Sequence, residues 1–166
     1  FRHTAPLSQG GFAAVLKTTH AKTRQPCALK VIERPTPGSL RREAWCLENL
    51  QHPHVIRRGP GPSFVTRGGA QVLCLELANG GDLFDFIEDS SVVGEALARR
   101  LFLQLLHAVA YLHRSGVCHQ DIKTENVLLH QNPKTGQLDA RLADFGLCSV
   151  AALGDDLSAA AQTTGS

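Results

Sequence analysis

The 166-residue sequence contains no methionine, and it has only one tryptophan and one tyrosine. Without a methionine, Phe1 is not an encoded start, so we expect the chain to be a piece of a longer protein. The five cysteines are odd in number and widely spaced, and no Cys-x-x-Cys pair occurs. This spacing argues against a zinc site or a disulfide framework and favours a reducing, intracellular and cytoplasmic setting.

Long apolar runs and an excess of one charge are also missing. The longest apolar run, residues 101–112, is broken by Gln104 and His107 and is too short to span a bilayer. Seventeen Lys and Arg residues against 15 Asp and Glu give a net charge of +2, whereas binding to a phosphate backbone usually needs a concentrated basic face. We therefore predict neither a membrane partner nor a nucleic-acid partner.

The first half of the chain has the pattern of a strand lobe with one helix. Short apolar runs punctuated by Gly, Thr and Pro predict antiparallel strands near 4–8, 13–19 and 26–32. Helical spacing of apolar residues follows over 39–50, and the apolar run at 71–77 predicts a buried strand.

The pattern changes after the Gly pair at 80–81. A short helix is predicted over 82–87 and a long amphipathic helix over 96–114, and residues 127–129 and 140–142 are typical of a hairpin. The predicted fold class is therefore α+β, with an antiparallel strand lobe meeting the first part of a mainly helical lobe at a Gly-Gly hinge.

Side chains with complementary chemistry are concentrated in the segment HQDIKTEN at 119–126. Asp121 is a candidate proton acceptor, Lys123 a cation and Asn126 a metal ligand. Asp144 opens the segment DFG at 144–146 and is a second candidate metal ligand. Few reactions other than phosphoryl transfer from a metal-bound nucleotide need that set.

These two segments resemble the catalytic loop H-R-D-L-K-P-E-N and the D-F-G motif of the eukaryotic protein kinase family. The resemblance implies a two-lobe protein-kinase-like fold, ATP and Mg²⁺ as cofactors, and a protein substrate with Ser or Thr. It also implies that Asp121 accepts the hydrogen of the substrate hydroxyl and that Lys123 steadies the γ-phosphate. Asn126 and Asp144 would hold Mg²⁺.

The segment CALK at 27–30 is similar to the family's V-A-I-K on the third strand. By that resemblance Lys30 neutralises the α- and β-phosphates and Glu43 orients Lys30. Glu48 is the rival for the pairing role, although its spacing to the His-Pro pair at 52–53 fits less well. A lysine among apolar strand residues is otherwise often an edge residue that reaches out to water.

The resemblance also implies a set of nucleotide-binding residues. They are drawn from a glycine-rich loop, the third strand, the connector and the hairpin: Leu7, Gly10, Gly11, Val15, Ala28, Lys30, Glu76, Ala78, Asp82 and Leu128. The loop LSQGGFAAV at 7–15 departs from the family's G-x-G-x-x-G, because Ser8 and Ala13 occupy the first and third glycine positions. Asp82 could equally cap a helix, and both roles can hold at once.

Two features refine the resemblance. Lys123, two residues after the base, is typical of Ser/Thr kinases, and GGDLFDFI at 80–87 is similar to the calcium/calmodulin-dependent-kinase-like group. The resemblance covers essentially the whole chain but only part of a complete domain. It implies an N-lobe at 1–78, a hinge at 79–82 and a partial C-lobe at 83–166 that ends in the activation loop. We expect this segment alone to have little or no kinase activity.

The catalytic loop departs from the family at Gln120, which replaces an arginine that pairs with a phosphate in kinases switched by phosphorylation. In the tail at 161–166, Gln162 falls where the usual phosphothreonine would be. The parent enzyme is therefore predicted not to need phosphorylation there. Two other readings stay open: a pseudokinase-like nucleotide-binding or scaffold module, and a small-molecule phosphotransferase of related fold.

Overall fold

The computed structural model describes residues 1–9, 13–90 and 92–155, and these form two compact units. The first unit comprises Phe1–Glu48 and Arg57–Leu77, and the second comprises Asn49–Ile56 and the residues from Ala78 onwards. The predicted loop residues Gly10 and Gly11 and the tail at 161–166 lie outside the described residues.

The first unit contains a five-stranded antiparallel sheet in the order β1-β2-β3-β5-β4. Its elements are β1 (Arg2–Gln9), β2 (Ala13–Thr19), β3 (Pro26–Ile32), helix α1 (Pro37–Asn49), β4 (Phe64–Val65) and β5 (Gln71–Glu76). β3 is the central strand, paired along its whole length with β2 on one side and for six residues with β5 on the other. Residues on β3 are therefore held from both sides.

The two faces of the central strands carry different residues, because successive side chains on a strand point to opposite faces. One face builds an apolar core from Cys27 and Leu29 of β3 with Val72 and Cys74 of β5. Lys30 falls on the opposite face, so the alternation of β3 separates it from this core.

Helix α1 begins at Pro37 because the residue before it caps the helix. The Thr36 hydroxyl accepts from the Ser39 backbone N–H at 3.2 Å, and the Thr36 carbonyl accepts from Leu40 N–H at 3.0 Å. Proline suits the first helical position since it has no N–H to leave unsatisfied. The helix therefore starts two residues before the predicted 39.

The second unit joins two helices to two small sheets. Its elements are α2 (Leu83–Asp89), α3 (Glu95–Arg114), β6 (Val117–Cys118), β7 (Val127–Gln131), β8 (Leu138–Leu142) and β9 (Ser149–Val150), with 3₁₀ turns at Thr124–Asn126 and Ala151–Leu153. β6 pairs with β9 and β7 pairs with β8, both antiparallel. Gly116, at φ +69°, follows the end of α3 and donates to the carbonyl of His113.

The α+β strand lobe and the helical lobe predicted from the sequence are both present. Several details differ: β1 and α1 begin earlier than predicted, the hairpin strands are longer, and the β6–β9 pair was not predicted, because a two-residue strand has no periodic signal. Among the described residues, no helix combines the length and apolar character that crossing a membrane requires.

Candidate active site

Lys30 is buried in the middle of the sheet of the first unit. It pairs in register with Val15 of β2 and Leu73 of β5. Its Nζ donates to Glu43 Oε1 at 2.7 Å, and the two residues are only 8% and 3% exposed. The structure therefore joins Lys30 to Glu43, while Glu48 is exposed. Lys30 is not an edge lysine reaching out to water.

Three predicted nucleotide-binding residues share one face of this sheet. Val15 lies directly opposite Lys30, and Ala28 precedes Lys30 by two positions on the same strand. Leu7 is 51% exposed and lies where the register of β1 against β2 shifts. Gly10 and Gly11 of the predicted glycine-rich loop fall outside the described residues.

The carboxylate of Glu76, at the end of β5, is bound to Arg57. The Arg57 Nη2 donates to Glu76 Oε2 at 2.9 Å, and its backbone N–H donates to Oε1 at 2.9 Å. Hydrogen bonding to Glu76, reinforced by its charge, raises the pKa of Arg57. Arg57 also engages the backbone of Glu76, since the Glu76 N–H donates to the Arg57 carbonyl at 2.9 Å. Nothing in the sequence marks Arg57 as the partner of Glu76.

The connector and the hairpin of the second unit meet at Asp82 and Leu128, which form a bridge. Asp82 Oδ1 accepts from the Asp85 backbone N–H at 2.9 Å, so it caps α2. Gly80 N–H donates to the Leu129 carbonyl at 2.9 Å. Asp82 and Leu128, both predicted to bind nucleotide, are thus neighbours. The half-buried Ala78 lies shortly before Asp82 in the chain.

The catalytic-loop candidates converge on the carboxylate of Asp121. Its Oδ2 accepts from Asn126 Nδ2 at 2.8 Å and lies 3.2 Å from Lys123 Nζ. Asn126 Nδ2 also donates to the Asp121 backbone carbonyl at 2.8 Å. Both side-chain contacts of Asp121 use Oδ2, which leaves Oδ1 outside these bonds.

Asp144 is tied to the same loop through the residue that precedes it. The Ala143 N–H donates to the Asn126 carbonyl at 2.8 Å, and the Ala143 carbonyl lies 2.9 Å from His119 Nε2. His119 also accepts from the Asp121 N–H through Nδ1 at 3.3 Å and packs against Phe145 with ring centroids 5.1 Å apart. His119, only 3% exposed, therefore lies buried beneath the loop and links the backbones on either side of the site.

Backbone conformation also marks this site. Gln120 and Asp144 have φ values of +65° and +67°, which non-glycine residues rarely adopt. Such positions cost on the order of 1–3 kcal/mol and concentrate at functional sites. Asp144 Oδ1 accepts from the Gly146 N–H at 3.1 Å, which stabilises the turn that holds it.

The family model described as the protein kinase domain matches residues 1–165. The chain belongs to the protein kinase family.

Relatives with similar sequences include fungal and plant kinases. "Sucrose non-fermenting protein kinase 1" of Fusarium virguliforme is 38% identical over 87% of the chain, and "SNF1-like protein kinase ssp2" of Schizosaccharomyces pombe is 36% identical over 90%. "CBL-interacting protein kinase 17" of Oryza sativa subsp. japonica is 36% identical over 87%. Each of these three relatives is named as a protein kinase.

The chain spans only part of these kinases. It covers 20%, 26% and 31% of the lengths of the Fusarium, fission-yeast and rice proteins. Activity, substrates and partners of the whole protein are therefore matters of proposal.

Proposed function

We propose that the protein containing this chain is an ATP-dependent Ser/Thr kinase that transfers the γ-phosphate of ATP to hydroxyls of protein substrates. One observation carries the proposal: a side-chain bond joins Asp121 to Asn126, and Ala143, next to Asp144, is bonded to the Asn126 backbone. A candidate base and two candidate metal ligands are thereby held in one hydrogen-bonded group.

The domain assignment belongs to the same proposal. We assign residues 1–78 to the N-lobe, 79–82 to the hinge and 83–166 to the C-lobe of a protein kinase domain. The match of the family model over residues 1–165 supports one domain across this length.

Asp121 has the role of proton acceptor for the attacking hydroxyl. Its Oδ2 is occupied by Asn126 and Lys123, which fixes the orientation of the carboxylate. A carboxylate so held can present Oδ1 to the hydroxyl within hydrogen-bond reach, as general-base catalysis requires. Lys123, about half exposed, would steady the γ-phosphate.

Lys30 and Glu43 have the role of binding and orienting the ATP phosphates. The Lys30 ammonium lies 2.7 Å from the buried Glu43 carboxylate, so it is held in one position. The remaining nucleotide contacts are assigned to Leu7, Gly10, Gly11, Val15, Ala28, Glu76, Ala78, Asp82 and Leu128. For Val15 and Ala28 the support is that they share a sheet face with Lys30.

The residues assigned to Mg²⁺ fit that ion. Asn126 uses Nδ2 for its bonds to Asp121, so the atom that remains for a cation is the carbonyl oxygen Oδ1. With the Asp144 carboxylate this makes a hard oxygen donor set, which Mg²⁺ prefers. Among the described residues no group of three or more His, Cys, Asp or Glu forms a metal cage. Mg²⁺ usually takes one or two protein ligands together with phosphates and water. When bound, the ion would neutralise charge on the transferring phosphate.

An intracellular, cytoplasmic setting is part of the proposal. Its support is that the five cysteines form no disulfide within the part of the chain that the structure describes. Disulfides persist in oxidising compartments and are rare in the cytosol.

Phosphate transfer from labelled ATP to Ser- and Thr-containing peptides by the complete natural protein tests the proposal. Asp121→Asn removes the proton acceptor while keeping a similar shape, and Asp89→Asn, at the exposed end of α2, is the matched control. We expect transfer to be lost in Asp121→Asn and retained in the control. Full transfer by Asp121→Asn would refute the assigned base. Nucleotide binding without transfer by the wild type would favour the pseudokinase-like alternative, which the substitutions at Ser8, Ala13 and Gln120 support.

A further inference from the structure

The outer edge of β8 is held by groups that do not belong to its hairpin. In an antiparallel pair, alternate residues turn their N–H and C=O groups away from the partner strand. On β8 these are Leu138, Ala140 and Leu142. Arg100 Nη2 donates to the Leu138 carbonyl at 2.9 Å, and the Ala140 N–H donates to Gln104 Oε1 at 2.8 Å.

His54 makes the next contacts along this edge. Its Nδ1 lies 3.0 Å from the Ala140 carbonyl, which can only accept, so Nδ1 carries the hydrogen. The His54 carbonyl accepts from the Leu142 N–H at 2.9 Å, and the Leu142 carbonyl accepts from Ile56 N–H at 2.9 Å. One residue therefore serves two successive outward positions of β8.

His52 in turn holds His54. The His54 N–H donates to His52 Nδ1 at 3.2 Å, so this nitrogen must be without a proton. The His52 ring stacks on Tyr111 of α3, with centroids 5.0 Å and planes 18° apart, and the Tyr111 hydroxyl accepts from the Gln51 N–H at 2.8 Å. Protonation of His52 at Nδ1 would break its bond to His54.

The strand held in this way leads directly to the proposed metal ligand. β8 ends at Leu142, and Ala143 then donates to the Asn126 carbonyl. Asp144 follows with its unusual φ of +67°. Only Ala143 separates Leu142 from Asp144, so a displacement of Leu142 also displaces Asp144.

We propose that His54 is a positioning residue for Asp144, and that it holds the outer edge of β8 only while His52 is neutral. The segment 52–54 is thus an acid-sensitive latch on the metal-binding end of β8. The inference rests on the proposed function for its link to Mg²⁺, whereas the latch itself is a property of the second unit.

The surroundings of His52 disfavour its charged form. Burial lowers the pKa of His52, and the nearby His54, His107 and Arg114 lower it further. His107 and Arg114 lie on α3, as does the neutral Tyr111. All of the charged or titratable groups that act on His52 therefore oppose a positive charge there, and acid is expected to release the latch rather than tighten it.

Amide hydrogen exchange of the complete protein without nucleotide tests the latch. Protection factors of peptides covering 138–144 are compared at about pH 7.5 and about pH 5.5, which bracket the ordinary histidine pKa of ~6.5. His52→Asn keeps an acceptor near the position of Nδ1 but does not titrate. His54→Ala removes the bond to Ala140. His113→Asn, an exposed histidine on α3, is the control.

We expect wild type and His113→Asn to lose protection several-fold at the lower pH. His52→Asn should keep its protection, and His54→Ala should be poorly protected at both pH values. An equal loss of protection in His52→Asn and wild type would overturn the acid sensitivity. Unchanged protection in His54→Ala would overturn the latch.

A second readout connects the latch to Mg²⁺. Removing a residue that orients a metal ligand typically lowers the metal affinity about 10-fold or more. The Mg²⁺ concentration for half-maximal phosphate transfer should rise by that order in His54→Ala, with little change in KM for the peptide. A peptide KM effect without a Mg²⁺ effect would contradict positioning of Asp144. Absence of any transfer in wild type would count against the proposed function alone, since exchange does not depend on it.

Discussion

Removing Glu43 should destabilise the protein, and removing Lys30 as well should restore much of that loss. The two side chains bond at 2.7 Å and are only 10% and 4% exposed, so their ion pair is largely withdrawn from water. Taking one partner from a buried ion pair costs about 3–5 kcal/mol, whereas replacing both by apolar residues is often neutral. For a domain of 150–250 residues, 1 kcal/mol corresponds to about 2–4 °C in Tm, so Glu43→Leu should lower Tm by roughly 6–20 °C.

The assay is thermal and urea unfolding of the complete protein as wild type and in three variants, together with binding of an ATP analogue. Glu48→Leu, on the exposed side of the same helix, is the matched control and should unfold like wild type. The Lys30→Met/Glu43→Leu double variant should recover most of the stability but none of the nucleotide affinity. A double variant no more stable than Glu43→Leu, or a Glu43→Leu variant as stable as the control, would refute the reasoning.

Three further predictions concern packing, thiol reactivity and pH. A Cβ at Gly80 would lie 2.9 Å from a backbone carbonyl oxygen, so Gly80→Ala should cost about 1–3 kcal/mol in urea unfolding. Gly68→Ala, whose Cβ would meet only Thr66 Oγ1 at 3.9 Å, should cost much less, and equal losses would contradict the contact. Burial raises the pKa of the Cys27 thiol to about 11, so iodoacetamide should label the half-buried Cys118 first in the native protein, as peptide mass spectrometry would show; equal labelling would count against it. Burial lowers the pKa of His52 from 6.5, so the unfolded chain takes up the proton more readily. The associated stability should be present above pH 6.5 and decline below it, and urea titrations in which His52→Asn declines equally would contradict this.

Periodic patterns and short motifs predicted the parts of the fold that they span. The strand with Lys30 and the buried face of α3 repeat their apolar residues over several turns or alternations, and the structure contains both. The kinase resemblance implied Glu43 rather than Glu48 as the partner of Lys30, and the structure places Glu43 Oε1 2.7 Å from Lys30 Nζ.

Contacts between single residues distant in sequence could not be predicted. The pairing of Arg57 with Glu76 joins residues 19 apart, and the bond from Gln51 to Tyr111 joins residues 60 apart. Each of these contacts depends on the position of a single side chain, so no repeating sequence pattern predicts it. The contact of His54 with β8 could not be predicted either, because its role as a hydrogen-bond donor depends on which edge of the strand faces it.

The most direct test of the account is a crystal structure of the complete kinase domain with a non-hydrolysable ATP analogue and Mn²⁺ in place of Mg²⁺, located by its anomalous signal. The account predicts that Asn126 Oδ1 and a carboxylate oxygen of Asp144 both bind one metal ion, at about the 2.0–2.1 Å typical of Mg²⁺ sites or slightly longer. A metal ion bound elsewhere, or either side chain turned away from it, would contradict the central claim.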